Sequence, residues 1–188
     1  EIRLKKGLNI NLSGGADKVY ASLKPEHIGA KYVLKPTDFH ALTPKLVVKD
    51  GDRVNAGSPL FFDKYNERVM YCSPVSGEII DIVRGNKRRI LELVINADSE
   101  IKYESFPTSS ANDLSREQII DKMLKGGVWP FVRQKPYDIV ASPNDIPKSI
   151  FISAFKSAPL SIDNEFALYG MEDLFQKGLD YPHMLLGG

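Results

Sequence analysis

LVVKDGDRVNAGSPLFFDKYNERVMYCSPVSGEIIDIVRG, residues 46–85, holds two units of one grammar. Leu46-Val47-Val48-Lys49-Asp50-Gly51 and Ile79-Ile80-Asp81-Ile82-Val83-Arg84-Gly85 are each an apolar run closed by a glycine, a short internal repeat that implies a folded pair. In the first unit Lys49-Asp50-Gly51-Asp52 reads as a turn. Its glycine takes a positive φ without a Cβ penalty, and Asp50 or Asp52 is placed to accept from the turn backbone. Val54, Leu60 and Phe62 supply the apolar side of the following segments, with Asn55-Ala56-Gly57-Ser58-Pro59 as a second turn. The pattern predicts short strands joined by tight turns.

The order of Val48, Gly51, Asp52, Val54, Gly57 and Leu60, with Ser73-Pro74-Val75-Ser76-Gly77 after it, resembles the barrel-sandwich hybrid fold of biotinyl and lipoyl carrier domains. In that family the carrier lysine sits on the hairpin tip between these two segments. Counting back from Pro74 places Asn66 there, inside Asp63-Lys64-Tyr65-Asn66-Glu67, and an amide accepts neither biotin nor lipoate. Lys64 lacks the flanking methionines. The resemblance therefore implies the fold without the swinging arm and no carrier lysine.

The 188 residues suffice for one large or two small domains. With 43% hydrophobic and 26% charged residues, 25 basic against 24 acidic, the composition is that of an ordinary folded soluble chain and not of a polyanion binder. Cys72 is the single cysteine, so within this chain there is no disulfide framework, no cysteine-ligated zinc site and no iron–sulfur cluster. Its neighbours Tyr71 and Ser73 place it in a strand, as a buried inert thiol. No apolar run approaches the roughly 18 residues of a membrane span, and no signal-peptide core is present at the start. Glu1 is not a natural start residue, and Leu185-Leu186-Gly187-Gly188 follows a helical pattern with no closing element. Both suggest the front of a longer protein.

Outward from the central stretch, Ile2 to Leu12 alternates apolar and polar residues around Gly7, as a bent strand does. Ser13-Gly14-Gly15-Ala16-Asp17 is a simple turn, since no Gly-Lys-Ser/Thr and no helix follow it. Lys31 to Pro36 reads as a strand with Pro36 marking its exit. Arg84-Gly85-Asn86-Lys87-Arg88-Arg89 is a hairpin tip, and Ile90 to Ile95 is the outgoing strand. Four cations in six residues suit a solvated tip or a contact to an acidic partner better than nucleic acid, because no interleaved aromatics supply a base-stacking platform.

After Asp98 the grammar changes. Ser99 to Asn112 is polar and turn-rich, a domain boundary. Ser115-Arg116-Glu117-Gln118 is a capping box, Ile119, Ile120, Met123 and Leu124 follow at helical spacing, and Gly126-Gly127 stops the helix. Ser149 to Phe155 is a near-continuous apolar run, which predicts a parallel strand buried on both faces. Asp163 or Asn164 caps a partly helical segment from Glu165 to Lys177, broken at Gly170. Strand then helix is how a Rossmann-like layer begins.

KKGLNINLSG, KPTDFHALTPKLVVKDGDRV, FFDKYNERVMYCSPVSGEIIDIVRGNKRR, VWPFVRQKP and IFISAFKSAPL are similar to the NqrA family, which supplies one subunit of the sodium-translocating NADH:quinone oxidoreductase, over essentially the whole chain. The resemblance implies an α+β architecture. A barrel-sandwich hybrid β domain occupies 1–98, and 99–188 hold a linker, a helix and the first part of a Rossmann-like α/β domain. It also implies a non-redox, peripheral subunit on the cytoplasmic side of the bacterial inner membrane. That subunit docks to membrane-embedded subunits of a respiratory, sodium-transporting enzyme and contributes to quinone (ubiquinone) binding. Flavins, iron–sulfur centres and NADH then belong to partner subunits, and this chain binds no cofactor of its own. Two alternatives stand beside it. One is a component similar to the related subunit of the ion-pumping ferredoxin:NAD oxidoreductase, which shares both modules and adds cysteine-ligated clusters further on. The other is a biotinyl or lipoyl carrier.

Lys125-Gly126-Gly127-Val128-Trp129-Pro130-Phe131 falls where the flavin-binding subunit of respiratory complex I, a relative in fold, has a glycine-rich nucleotide loop. Close approach of backbone to a nucleotide requires several glycines. Only Gly126 and Gly127 are present, so the loop reads as a degenerate nucleotide site. What stands there is aromatic and cationic: Trp129, Phe131, Arg133, Lys135 and Tyr137, with Tyr32, Phe39 and His40 joining from the first domain. They are either core rings and solvated cations, or a quinone-facing or partner-facing surface, since an aromatic wall plus a donor suits a flat dicarbonyl headgroup. His27, His40 and His183 are scattered in sequence, and no catalytic or metal-binding constellation is evident.

Overall fold

The segment 46–85 folds into short antiparallel strands because each apolar run is interrupted by a turn before it reaches helical length. The computed structural model describes residues 13, 17–19, 31–107, 113–155, 158, 161–183 and 185–186, without the side chain of His183. The strand expected over 2–12 and the residue His27 lie outside them, and of the turn at 13–17 only Ser13 and Asp17 lie within.

The strands are β1 (Lys31–Leu34), β2 (Pro44–Leu46), β3 (Arg53–Val54), β4 (Pro59–Asp63), β5 (Asn66–Cys72), β6 (Gly77–Arg84) and β7 (Ile90–Ala97). They form one sheet in the order β1-β7-β6-β3 and another in the order β2-β4-β5, with every pairing antiparallel. Leu60, Phe61, Val69 and Tyr71 from the smaller sheet share one core with Val54, Ile79, Leu93 and Ile95 from the larger. Phe61 stacks on Tyr71 at 4.8 Å between ring centroids. Each such fully buried side chain contributes about 1.5–3 kcal/mol. The two sheets thus pack over one apolar core, as the barrel-sandwich hybrid implied by the resemblance does.

The repeat pairs at its turns and not along its strands. Leu46 lies opposite Phe61 of β4, whereas Gly51 N donates to Ile79 O at 2.8 Å and Ile79 N to Asp52 O at 2.9 Å. Gly51 sits at φ +87°, as the turn requires, and Asp52 Oδ2 accepts from Lys49 N at 2.9 Å. The β4–β5 tip falls earlier than the count from Pro74 predicts: Lys64 and Tyr65 form the turn, and Asn66 opens β5 opposite Asp63. The Lys64 ammonium lies 5.6 Å above the Tyr65 ring.

Beyond β7 the chain stays against the barrel. Ala56 N donates to Lys102 O and Glu104 N to Ala56 O, both at 2.8 Å, and Glu104 accepts from Ser58 Oγ at 2.6 Å. Helix α1 (Arg116–Lys125) carries the expected capping box: Gln118 N donates to Ser115 Oγ and Ser115 N to Gln118 Oε1. Its apolar stripe places Ile119, Ile120 and Leu124 in the barrel's own core, and Arg68 of β5 bridges to Asp121 at 2.8 Å. A hairpin of β8 (Arg133–Gln134) and β9 (Ile139–Val140) follows, then α2 (Asn164–Leu168) and α3 (Glu172–His183). Asp163 caps α2, and the expected break falls at Gly170, φ +77°. Among the described residues no helix is long and apolar enough to cross a membrane.

Ser149 to Phe155, expected as a strand buried on both faces, is irregular and open. Phe151 is 92% and Phe155 79% exposed. A parallel strand needs hydrogen-bonding neighbours and a covering layer on each face; among the described residues no strand pairs with this one. Ile150 is half-buried against the barrel core, and residues 151–155 are exposed.

Candidate functional site

Two features meet near His40. The first is a cleft of about 260 Å³ lined by the 36–44 loop, with Phe39, His40, Leu42 and Pro44, and by Arg89 and Ile90 at the start of β7. Pro36 shapes this loop: it ends β1 and opens a 3-10 turn, Pro36–Asp38. Phe39 then turns inward, edge-on to Tyr71 at 4.6 Å and 72°, and His40 is left exposed.

The second is the loop between β8 and β9, Lys135-Pro136-Tyr137-Asp138. Lys135 Nζ donates to Asp138 Oδ1 at 2.8 Å, and Arg133 Nη2 reaches both Asp138 Oδ2, at 3.3 Å, and the Asp138 carbonyl. The Lys135 hydrogen bond, followed by the Arg133 guanidinium and with His40 adding in the same direction, holds the Asp138 carboxyl below its usual range. The loop is thus pinned as a clamp of two cations on one carboxylate; Tyr137 within it is 72% exposed, and Phe131, two residues before Arg133, is 74% exposed. Arg133 Nε is buried without a hydrogen-bond partner among the described residues. The guanidinium also approaches Tyr71, whose phenol burial pushes up to about 12, with Asp63 acting the same way and Arg133 opposing.

The structure sorts the sequence-predicted residues. Phe39 and His40 line the cleft, while Arg133 and Lys135 hold Asp138, close enough for His40 to act on its charge, and Tyr137 lies in the same loop with Phe131 two residues before Arg133. Tyr32 lies in β1 opposite Ile95, partly packed on the core. Trp129 is in the core at 4% exposure, its indole Nε1 donating to Ala141 O at 2.7 Å. Gly126 caps α1. Gly127, at φ +68°, stands where a Cβ would come within 2.8 Å of Cys72 Sγ, so helix termination and this close approach account for both glycines locally. Cys72 ends β5 half-buried; burial, then the Glu104 charge, push its thiol up to about 11, which suppresses the nucleophilic thiolate at neutral pH.

The sequence reading missed Asp138, which organises the lobe, and Leu42 and Pro44 in the cleft wall. The spacing Arg133, Lys135, Asp138 around Pro136 is a signal for the clamp. The cleft has no such local signal, because its walls come from residues 36–44 and 89–90. Among the described residues no group of three or more His, Cys, Asp or Glu is placed to hold a metal ion.

Comparison with known proteins bears on both regions. Residues 2–98 match the family model of the NqrA N-terminal barrel-sandwich hybrid domain, and residues 114–187 that of the NqrA second alpha/beta domain. The corresponding subunit of the Na(+)-translocating NADH-quinone reductase of Pseudomonas aeruginosa is 33% identical over 180 residues, 95% of this chain and 40% of its own length. The subunit of the same name from Tolumonas auensis is 34% identical over 191 residues, 100% of this chain and 42% of its own length. That from Hahella chejuensis is 33% identical over 180 residues. The chain spans about two fifths of the length of the curated relatives it matches.

Proposed function

The chain belongs to the NqrA family of Na(+)-translocating NADH-quinone reductase subunits, and from that premise we propose that it is a non-redox, peripheral part of such a complex. In this reading it lies on the cytoplasmic side of the inner membrane, docks to membrane-embedded subunits and presents a surface to quinone. Hydride transfer, flavins and iron–sulfur chemistry belong to the partners.

The observation that carries the quinone part is the lobe at β8–β9. Phe131 and Tyr137 offer exposed aromatic faces beside Arg133 and Lys135, and Asp138 fixes the positions of both cations. A quinone headgroup is flat and apolar, with a carbonyl acceptor at each end; stacking on a ring while accepting from a cation matches that chemistry. The rival nucleotide reading has less support. Gly127 is spoken for by Cys72, and Val128 and Trp129 fill the following positions.

The test is titration of the chain with a short-chain quinone, following the fluorescence of Trp129, which sits buried two residues before the exposed Phe131. Saturable quenching is expected, weakened about three- to tenfold in Phe131→Ala or Tyr137→Ala. NADH should leave the signal unchanged. Silence toward quinone, or saturation by NADH, overturns the quinone assignment. Intact-mass analysis addresses the carrier alternative: the expected result is the unmodified polypeptide, and a prosthetic group on Lys64 at the β4–β5 tip would overturn the subunit reading.

A further inference from the structure

The tip joining β6 and β7 carries Arg84, Lys87, Arg88 and Arg89, all exposed, with no acidic residue among them. Several cations elsewhere are paired: Lys35 with Glu92, Arg53 with Asp98, Arg68 with Asp121, Arg133 and Lys135 with Asp138. Among the described residues no tip cation meets a carboxylate, and the tip's side-chain bond there is Arg84 Nη1 to the Arg88 carbonyl at 3.5 Å.

The tip is also held in place. Gly85 N donates to Arg89 O at 2.8 Å, Arg89 N to Asn86 O at 3.2 Å, and Lys87 and Arg88 both sit at positive φ, 56° and 60°. Four like charges are thus presented from a fixed backbone on a chain whose overall charge is only +1. Their mutual repulsion is relieved by an anionic partner. Arg89 continues the patch into the 260 Å³ cleft, which it lines together with Thr37, His40 and Ile90 and whose exposed surface is more polar than apolar. A guanidinium lining a mostly polar cleft is complementary to a carboxylate.

We propose that this tip and cleft form a docking site for an acidic segment of a partner protein: one carboxylate enters the cleft to pair with Arg89, and further carboxylates meet Arg84, Lys87 and Arg88. This rests on the docking half of the proposed function and names the chemistry of the partner. Nucleic acid fits less well, because Phe39 is already engaged edge-on with Tyr71, and among the described residues His40 is the one other ring lining the cleft, too few for a run of stacked bases. A lipid surface fits less well, because no large apolar side chain accompanies the cations at the tip; the most exposed phenylalanines, Phe151 and Phe155, belong to another segment.

The test uses the isolated chain, so it does not depend on assembly of the complex or on quinone. The 15N-labelled protein is titrated with acetyl-Asp-Glu-Phe-Glu-Asp-amide, with the same peptide carrying Asn for Asp and Gln for Glu, with phosphatidylglycerol vesicles and with single-stranded DNA. Saturable shifts are expected at residues 36–42 and 85–90 with the first peptide. Affinity should fall at least about tenfold in Arg88→Glu/Arg89→Glu, comparably for the Asn/Gln peptide, and with rising salt. Arg88 and Arg89 are exposed, so that variant keeps the fold, and its unchanged spectrum elsewhere verifies this. Absence of saturable shifts, indifference to the double reversal, or vesicles or DNA perturbing these amides where the peptide does not, overturns the proposal.

Discussion

Phe61 and Phe151 sit in nearly identical company, Leu60-Phe61-Phe62 and Ile150-Phe151-Ile152, yet the first is 0% and the second 92% exposed. Phe61 belongs to a strand with β2 on one side, β5 on the other and the larger sheet facing it. Phe151 belongs to a run with no paired strand among the described residues. The difference extends over both regions: none of the described residues from Asn144 to Pro182 is buried, whereas the barrel holds most of the fully buried side chains. Apolar sequence supplies a tendency to be covered, but burial requires a partner surface. The barrel closes on itself and provides its own partner.

The widest gap between the two regions is expected from truncation. Phe61→Ala should destabilise the chain by about 3–5 kcal/mol, read from the urea midpoint; a loss near zero would mean the barrel core is not the stabilising unit. Next, Gly127→Ala forces a residue with a Cβ to φ +68° and against Cys72 Sγ, at a cost of roughly 1–3 kcal/mol. Adding Cys72→Ala should return only part of that loss, because it removes the Sγ contact and leaves both the Cβ of residue 72 at 2.9 Å and the backbone strain. If it returns all of it, the positive φ is not the constraint.

Ser115→Ala removes one half of the capping box and should cost about 1 kcal/mol. A correspondingly earlier loss of helical signal would show α1 melting ahead of the barrel, whereas loss in a single transition would join them in one cooperative unit.

A pH-dependent effect distinguishes the regions further. Burial pushes Cys72 up to about 11 from 9.0 and Tyr71 up to about 12 from 10.0, so above pH 9 the folded barrel keeps protons that the unfolded chain has begun to lose. Their contribution is whole below the unfolded values and is lost as pH rises through the folded ones. The urea midpoint should therefore fall between about pH 9 and pH 11, and less steeply in Cys72→Ala. A wild-type midpoint that stays flat across this range would contradict the burial of both groups.

The smallest effect is expected in the open segment. Phe155→Ser should alter stability by no more than about 0.5 kcal/mol while reducing binding of a hydrophobic dye. A large destabilisation would show that this phenylalanine is covered in solution.

Much of the barrel was legible because its signals are local. Gly51 at its turn, Asp52 bonded to Lys49, the 84–89 tip and the Ser115 capping box each involve residues a few positions apart. The register of the repeat was not legible: whether Leu46 meets Phe61 or the second unit is settled by which strands share the core. Around the candidate site, residue types were read correctly as aromatic and cationic. Their division into buried Trp129, cleft-lining Phe39 and exposed Phe131 and Tyr137 depends on neighbours far away in sequence.

By itself, then, the sequence determined the turns, the caps, the alternation of the barrel strands and the family to which the chain belongs, since all of these reside in spacing and residue identity. Tertiary structure alone decided which apolar runs are covered, that Asp138 clamps Arg133 and Lys135 near His40, and that Arg89 lines a cleft with the 36–44 loop. Burial and electrostatic coupling act between surfaces, and sequence spacing does not say which surfaces meet.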